Sequence, residues 1–231
     1  MTGSPPRSTD RAPGRPSDST GYLPALRFRV LTPLFDSFVR LGTREETFKA
    51  ALIEGAGLQA GQRVLDLGAG TGTLAIMAKR REPNSEVVGL DADPDILRLA
   101  RRKAAEAQID VRFDEAMAGE LPYEDRSFDR VLSTLFFHHL TSADKRATLT
   151  EIVRVLRPGG ELHIGDYTRA AGPLQKLLSW QVRLFDGLER TRENFAGELP
   201  RLLREAGLED VGERRRLRTA FGTLGLVSGT R

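Results

Sequence analysis

Apolar positions change their period several times along this chain. Residues 1–20 hold Pro, Ser, Arg and Gly but no apolar stretch. Such a segment cannot bury enough surface to order itself and is expected to be a disordered tail. From Tyr22 to Gly57 the spacing turns helical. Leu31, Leu34, Phe35 and Phe38 fall on one helix face, and Phe48, Leu52 and Ile53 on another. Two helices are therefore expected ahead of the main fold, as a cap over residues 22–57. Beyond them, short apolar runs alternate with longer amphipathic ones. Strands are expected at 63–67, at 86–90, around Val111 and Phe113, at 128–134 and at 161–165. Helices are expected at 73–81, at 94–107 with Ile96, Leu97, Leu99 and Ala100 toward the core, and at 143–156, stopped by Pro158-Gly159-Gly160. Two more are expected at 173–188 and at 199–206, the last closed by Gly207. Residues 211–217 and 220–227 read as two strands around a turn.

Alternating strands and helices predict a mostly parallel sheet covered on both faces. The fold class is α/β: a Rossmann-like, doubly wound, seven-stranded sheet with a C-terminal antiparallel hairpin. Residues 21–231 form one domain, with 167–197 as an insertion over the substrate.

Composition narrows the functions. A chain of 231 residues with 39% hydrophobic content suits one domain with a sizeable core. Charge is nearly balanced, 35 basic against 32 acidic residues. The dense cluster Arg214-Arg215-Arg216 with Arg218 follows Glu209, Asp210 and Glu213, and reads as a solvated strand edge rather than a nucleic-acid face. With no cysteine, disulfides, thiolate-held metal and thiol nucleophiles are excluded. No apolar run approaches the roughly 18 residues of a membrane span. A cytoplasmic location is expected by elimination.

The strongest local signal is Val64-Leu65-Asp66-Leu67-Gly68-Ala69-Gly70-Thr71-Gly72. A buried strand runs into a small-residue loop that opens a helix. Glycines let the chain turn sharply and let a ligand approach the backbone. The dinucleotide pattern Gly-x-Gly-x-x-Gly would put its third glycine at Thr73, but it falls at Gly72. Asp66, just before the loop, would repel a pyrophosphate and suit a ligand carrying an ammonium and a sulfonium. Asp91 ends the second strand, 19 residues past Gly72. That is the usual separation for a carboxylate that accepts from ribose hydroxyls. Asp93 has the simpler role of N-cap ahead of Pro94.

These stretches resemble the class I S-adenosylmethionine-dependent methyltransferases. So do Val88-Gly89-Leu90-Asp91-Ala92-Asp93-Pro94, the run from Leu121-Pro122-Tyr123 to Val131, and the run from Val155 to Leu162 through Pro158-Gly159-Gly160. Their order is most similar to the group of ubiquinone and menaquinone biosynthesis C-methyltransferases, over roughly residues 45–165. The resemblance implies S-adenosylmethionine as cofactor. Asp66 and the backbone of Gly68, Ala69, Gly70, Thr71 and Gly72 would hold its methionine part, Asp91 with Ala92 its ribose, and Met117-Ala118 its adenine. Met117 stands where the family often has an Asp or Asn. It cannot accept the adenine amino hydrogen bond well but can pack its sulfur on the ring. Thr134 matches a position whose backbone lines the methionine end.

Ligands of open α/β sheets bind beyond the carboxyl ends of the strands. His138 and His139 follow the fourth strand there, and Asp166 and Tyr167 the fifth. Asp129, at the opposite strand end, is set aside. The four are the candidate catalytic residues around the transferred methyl, His138 or His139 as proton acceptor. No metal is expected, because adjacent histidines point apart and no third ligand is evident in the sequence. Residues 22–48 and 167–197 bring Tyr22, Phe28, Phe35, Trp180, Phe185 and Phe195 as an apolar lid. The expected acceptor is a small apolar or aromatic molecule, methylated by in-line displacement, with no nucleic-acid partner. An RNA or protein methyltransferase is the alternative, though Ser133-Thr134-Leu135-Phe136 lacks the Asn/Asp-Pro-Pro-aromatic segment of base amino methylation. A nicotinamide oxidoreductase is a more distant one.

Overall fold

The computed structural model describes residues 45–231. The expected tail and the first cap helix lie outside the described residues. The second cap helix is α1 (Glu45–Ala56), which buries Phe48, Leu52 and Ile53. It lies on the sheet where Gly165 leaves room: a Cβ there would meet the Phe48 ring at 2.9 Å.

The alternation follows as β1 (Arg63–Leu67), α2 (Thr73–Arg81), β2 (Glu86–Asp91), α3 (Pro94–Glu106), β3 (Arg112–Glu115) and β4 (Phe128–Thr134). A short 3-10 turn (Phe137–His139) leads to α4 (Ser142–Val155) and β5 (Leu156–Tyr167). Then come α5 (Pro173–Asp186), α6 (Leu188–Ala196), α7 (Leu199–Glu205), β6 (Glu209–Thr219) and β7 (Gly222–Thr230). The seven strands lie in the order β3-β2-β1-β4-β5-β7-β6. The first five are parallel, and β7 runs antiparallel to both β5 and β6. The chain starts at the sheet centre, winds out to β3, and returns to lay β4 beside β1. The strand order reverses there, so the carboxyl ends of β1 and β4 flank an open crevice.

Local chemistry explains the boundaries. Asp93 caps α3, its side chain accepting from the amides of Asp95 and Ile96, with Pro94 in the first turn. Thr141 caps α4 by accepting from the Asp144 amide at 3.2 Å. The buried stripe of α3 is narrow, Leu97, Ala100 and Ala104, and Leu99, expected to face the core, is 41% exposed. Pro158-Gly159-Gly160 does follow a helix end, but it already belongs to β5. Its backbone is paired with the chain end through Gly159 N to Arg231 O at 2.8 Å and Arg231 N to Gly160 O at 2.9 Å. The helix expected at 173–188 is α5, ending at Asp186; Gly187, with φ of +91°, separates it from α6, a helix not expected from the sequence. Arg214, Arg215, Arg216 and Arg218 lie on the outermost strand, β6, as expected of a solvated edge.

Core residues fill both faces of the sheet. Leu132, at the middle of β4, has no exposed surface. Leu132→Ala is expected to lower unfolding stability by about 2–5 kcal/mol through lost transfer energy and the cavity left behind. Urea denaturation checks this, and a loss under about 1 kcal/mol would show that the centre of the sheet is not close-packed.

Candidate active site

At the end of β1 the chain passes Gly68, Ala69, Gly70 and Thr71 before α2 opens. Gly68, Gly70 and Gly72 have φ of +71°, +52° and +73°, a region that favours glycine. Two of them are also packed: a Cβ on Gly68 would lie 2.5 Å from the Phe136 ring, and one on Gly72 would lie 2.7 Å from Phe113. Gly70 differs, since a Cβ there would meet nothing within 4 Å. Its outer face is open to an approaching ligand. The loop is fixed from β2: the amides of Gly68 and Ala69 both donate to Leu90 O at 2.9 Å. The Gly70 amide donates to Asp91 Oδ2, also at 2.9 Å.

Asp66 stands under this loop, 1% exposed. Its Oδ2 accepts from the Ala75 amide in the first turn of α2 at 2.9 Å. Its Oδ1 is buried with no hydrogen-bond partner among the described residues. Burial is the largest influence on this group and lifts its pKa from 3.8 to about 7, against the pull of Lys49 and of the Ala75 amide. Lys49 itself is engaged by Glu45 at 2.6 Å. A buried acceptor atom without a donor, beneath an open glycine loop and a helix N-terminus, fits a ligand that brings its own positive donor.

Asp91 sits at the end of β2, with Oδ2 on the Gly70 amide and Oδ1 on the Asp93 amide at 3.1 Å. Each oxygen keeps a second lone pair. The residue therefore shapes the loop as well as offering acceptors, and burial raises its pKa. Ala92 follows it, half-buried. Past β3, Ala118 is buried and Met117 is 49% exposed, so the Met117 thioether stands at the surface, free to lie against a ring. Thr134 ends β4 and pairs in register with Gly165. The next residue, Leu135, has φ of +52°, a strained turn for a branched side chain. That turn swings Phe136 over Gly68.

On the other side of the crevice, the 3-10 turn after β4 meets the end of β5. Asp166 has no exposed surface. Its Oδ1 contacts His138 Nδ1 at 2.7 Å and accepts from the Tyr167 amide at 2.6 Å, while Oδ2 accepts from the His138 amide at 3.2 Å. Despite full burial, the facing His138 and these bonds hold its carboxyl below the usual range. Reciprocally, Asp166 raises His138 although burial opposes it. Desolvation and the adjoining His138 ring push His139 down. The His138 and His139 rings lie 4.0 Å apart. Tyr167 meets His138 edge-on at 5.0 Å and stacks on Phe195 at 5.1 Å.

All four expected catalytic residues thus form one cluster, but they are not equivalent. The oxygens of Asp166 are taken up within the cluster, so it acts by fixing His138. Two groups were not singled out from sequence. Asp186, at the end of α5, lies 3.6 Å from His138 Nε2 and 3.5 Å from His139 Nδ1. Fully buried Lys145 on α4 donates to Arg190 O at 2.8 Å and pairs with Glu193 at 3.2 Å. Arg190 in turn donates to His139 O at 3.1 Å. Together they tie α6 down onto the histidine turn. Of the expected lid aromatics, Phe195 packs on the site, Trp180 and Phe185 are 44% and 73% exposed, and Tyr22, Phe28 and Phe35 lie outside the described residues.

Known proteins share parts of this sequence and its fold. Residues 64–160 match the family described as a methyltransferase domain. The demethylmenaquinone methyltransferase of Thermus thermophilus is 40% identical over 142 residues. That match spans 61% of this chain and 64% of the relative, under two thirds of the relative's length. The demethylmenaquinone methyltransferase of Lactiplantibacillus plantarum is 30% identical over 208 residues, 80% of this chain and 86% of the relative. The YcgJ protein of Bacillus subtilis has the same fold, with a TM-score of 0.66 at 21% identity, covering 80% of this chain and 98% of that one. A seven-stranded sheet with this order, its glycine loop and its buried strand-end acid define a class I methyltransferase that uses S-adenosylmethionine. The chain belongs to that family and is similar, within it, to the ubiquinone and menaquinone C-methyltransferases. The orphan Asp66 Oδ1 and the open face of Gly70 fit the cofactor.

Asp91→Ala is expected to weaken S-adenosylhomocysteine binding about ten- to a hundredfold by removing a charged acceptor. Calorimetry that finds the affinity unchanged would take Asp91 out of the site. A second expectation concerns pH. A cationic ligand selects ionised Asp66, whose pKa near 7 leaves it largely protonated below that pH. Binding there must expel a proton, so affinity should fall about tenfold per unit as pH drops below 7 and level off above it. Asp66→Asn should bind more weakly and show no such slope, and a wild-type affinity flat across neutral pH would refute the assignment.

Proposed function

We propose that this protein transfers a methyl group from S-adenosylmethionine to a ring carbon of a small, planar, quinone-type acceptor. The observation that carries the reading is Asp66 Oδ1, a buried acceptor without a donor among the described residues, beneath the Gly68–Gly72 loop. The acceptor class follows the printed names of the relatives, demethylmenaquinone methyltransferases, and is supported by the aromatic wall of Tyr167 and Phe195.

Asp66, the loop backbone, Asp91 with Ala92, Met117-Ala118 and Thr134 would hold the cofactor. Bound there, it supplies a methyl on a cationic sulfur, a donor already activated for in-line displacement. The protein's own work is alignment and exclusion of water. Tyr167 and Phe195 give a flat apolar face for a ring. His138 and His139 act on the acceptor's ionisable oxygen, whose deprotonated form pushes electron density into the ring carbon that is methylated. Asp166 keeps the His138 ring in place. Residues 167–197 cover the acceptor, and Lys145, Glu193 and Arg190 fasten that cover over the histidines.

The test is methyl transfer from labelled cofactor to a demethylated naphthoquinol, with the product's ring-carbon methyl located by mass spectrometry. His138→Ala should lower turnover at least about tenfold while leaving S-adenosylhomocysteine affinity intact. A protein that binds S-adenosylhomocysteine yet methylates no quinol would sink the acceptor assignment.

A further inference from the structure

We propose that His138, His139 and Asp186 form a binding site for a divalent transition-metal ion with a position left open for an acceptor oxygen. The ligand atoms are His138 Nε2, His139 Nδ1 and a carboxylate oxygen of Asp186, all within 4.8 Å of one another. The ion's binding stands on this geometry alone; its role in turnover rests on the methyl-transfer reading above.

Three observations converge. First, the hydrogen bond of 2.7 Å from His138 to Asp166 fixes the ring. That contact uses Nδ1 and leaves Nε2 as the ring's other ligand atom. Nε2 then lies on the side of Asp186, 3.6 Å from its Oδ2. A histidine anchored through its other nitrogen to a carboxylate is the usual support of a metal-binding imidazole. Second, the separations are wrong for hydrogen bonds and right for a shared ion. Asp186 oxygens lie 3.6 Å from His138 Nε2 and 3.5 Å from His139 Nδ1, beyond normal hydrogen-bond length. Ligands at about 2.0–2.1 Å from a tetrahedral ion stand about 3.4 Å apart. Third, the donors are brought together by design of the backbone. The 3-10 turn stacks the two imidazoles with a tilt of 42°, so these adjacent histidines do not diverge. Gly187, at φ +91°, ends α5 just where Asp186 faces them. Lys145, whose charge acts on His138, is engaged by Arg190 O and Glu193.

Two nitrogens and one oxygen suit borderline ions such as zinc, cobalt or nickel rather than magnesium or calcium, which favour oxygen. His139 is half exposed, which gives the ion an entry path. An acceptor hydroxyl that takes the open position exchanges its O–H bond for a metal–oxygen bond and releases its proton to solvent. No oxidant or reductant is involved.

The experiment uses the full chain without an affinity tag, stripped with chelator and desalted. Cobalt(II) is titrated while the visible spectrum is followed, and zinc binding is measured by calorimetry. The expected result is one ion per chain with the intense visible bands of a four- or five-coordinate cobalt site. Asp186→Asn and His139→Ala should each weaken zinc at least about a hundredfold, and Asp166→Asn about ten- to a hundredfold. S-adenosylhomocysteine affinity should stay within about twofold in all of them, showing that they fold. The chain's third histidine, His163, is bonded to Glu161 at 2.8 Å, and His163→Ala should bind zinc as the wild type does. Equal zinc affinity in wild type and Asp186→Asn, or a wild-type cobalt spectrum like that of the free ion, would overturn the site. Methyl transfer that survives removal of the metal would overturn its role while leaving the proposed function standing; metal binding without any quinol methylation would do the reverse.

Discussion

Asp66 is an ionisable group sealed into the centre of an α/β sheet, and an unmet charge in such a place costs several kcal/mol. The sheet tolerates it through one backbone amide and a raised pKa, leaving the second oxygen unsatisfied. The surroundings are arranged about that unmet need. β1 delivers the carboxylate to the strand end, α2 lends it the Ala75 amide, and the left-handed loop between them leaves an approach over Gly70. Neighbouring strands reinforce the loop, with Leu90 O and Asp91 gripping it from β2 and the strained Leu135 turn setting Phe136 against Gly68 from β4. A ligand that carries positive charge to this point relieves a strain the folded protein already bears.

The crevice is thus divided by chemistry as well as by space. On the β1 and β2 side the groups are acceptors waiting for a cationic, hydroxyl-bearing molecule. On the β4 and β5 side Asp166 is spent entirely on its neighbours, and what reaches outward is imidazole nitrogen and aromatic surface. α6 seals this half through a buried ammonium on α4, which donates to the Arg190 carbonyl and pairs with the Glu193 carboxylate. Removing either partner would leave a buried charge alone, so the lid's attachment is bound to the stability of the fold.

How much of this is legible in the sequence depends on range. The glycine loop, Asp66, Asp91 and the Asp93 cap are legible because each sits in a short run at a strand end or helix start, although Asp91 reaches back to the distant Gly70 amide. The terminal hairpin shows as two strand-like runs about a turn, the second of them apolar, and the parallel part of the sheet follows from the alternation of strands with helices. Asp186 is different: nothing near it announces that the end of α5 faces a turn from another part of the chain. Gly187 is hidden because the amphipathic period runs across it, with Leu184, Phe185 and Leu188 keeping helical spacing on both sides. Lys145 and Glu193 look like ordinary solvated helix charges until the two helices are packed. Leu99 fits the period of a core face, but the small Ala100 and Ala104 bring α3 close to the sheet and turn that stripe narrow. In each case the missing knowledge is which element packs against which.

The rim of the sheet carries a consequence of its own. β3 and β6 are its two outer strands, and unpaired strand edges invite other chains to dock on them. β3 is only four residues long, too short a template to hold a visitor. β6 spans eleven residues and would be long enough. It is instead studded with arginines, Arg214 held by Asp210 at 2.6 Å and Arg216 by Glu213 at 2.7 Å, with Arg215 and Arg218 exposed beside them. A second chain lying against that strand would have to strip water from a row of guanidinium groups and set its own row against them. The same residues that read as a solvated strand edge in the sequence thus keep a long outer edge from growing into a larger sheet, so that crowding with its own copies does not become aggregation.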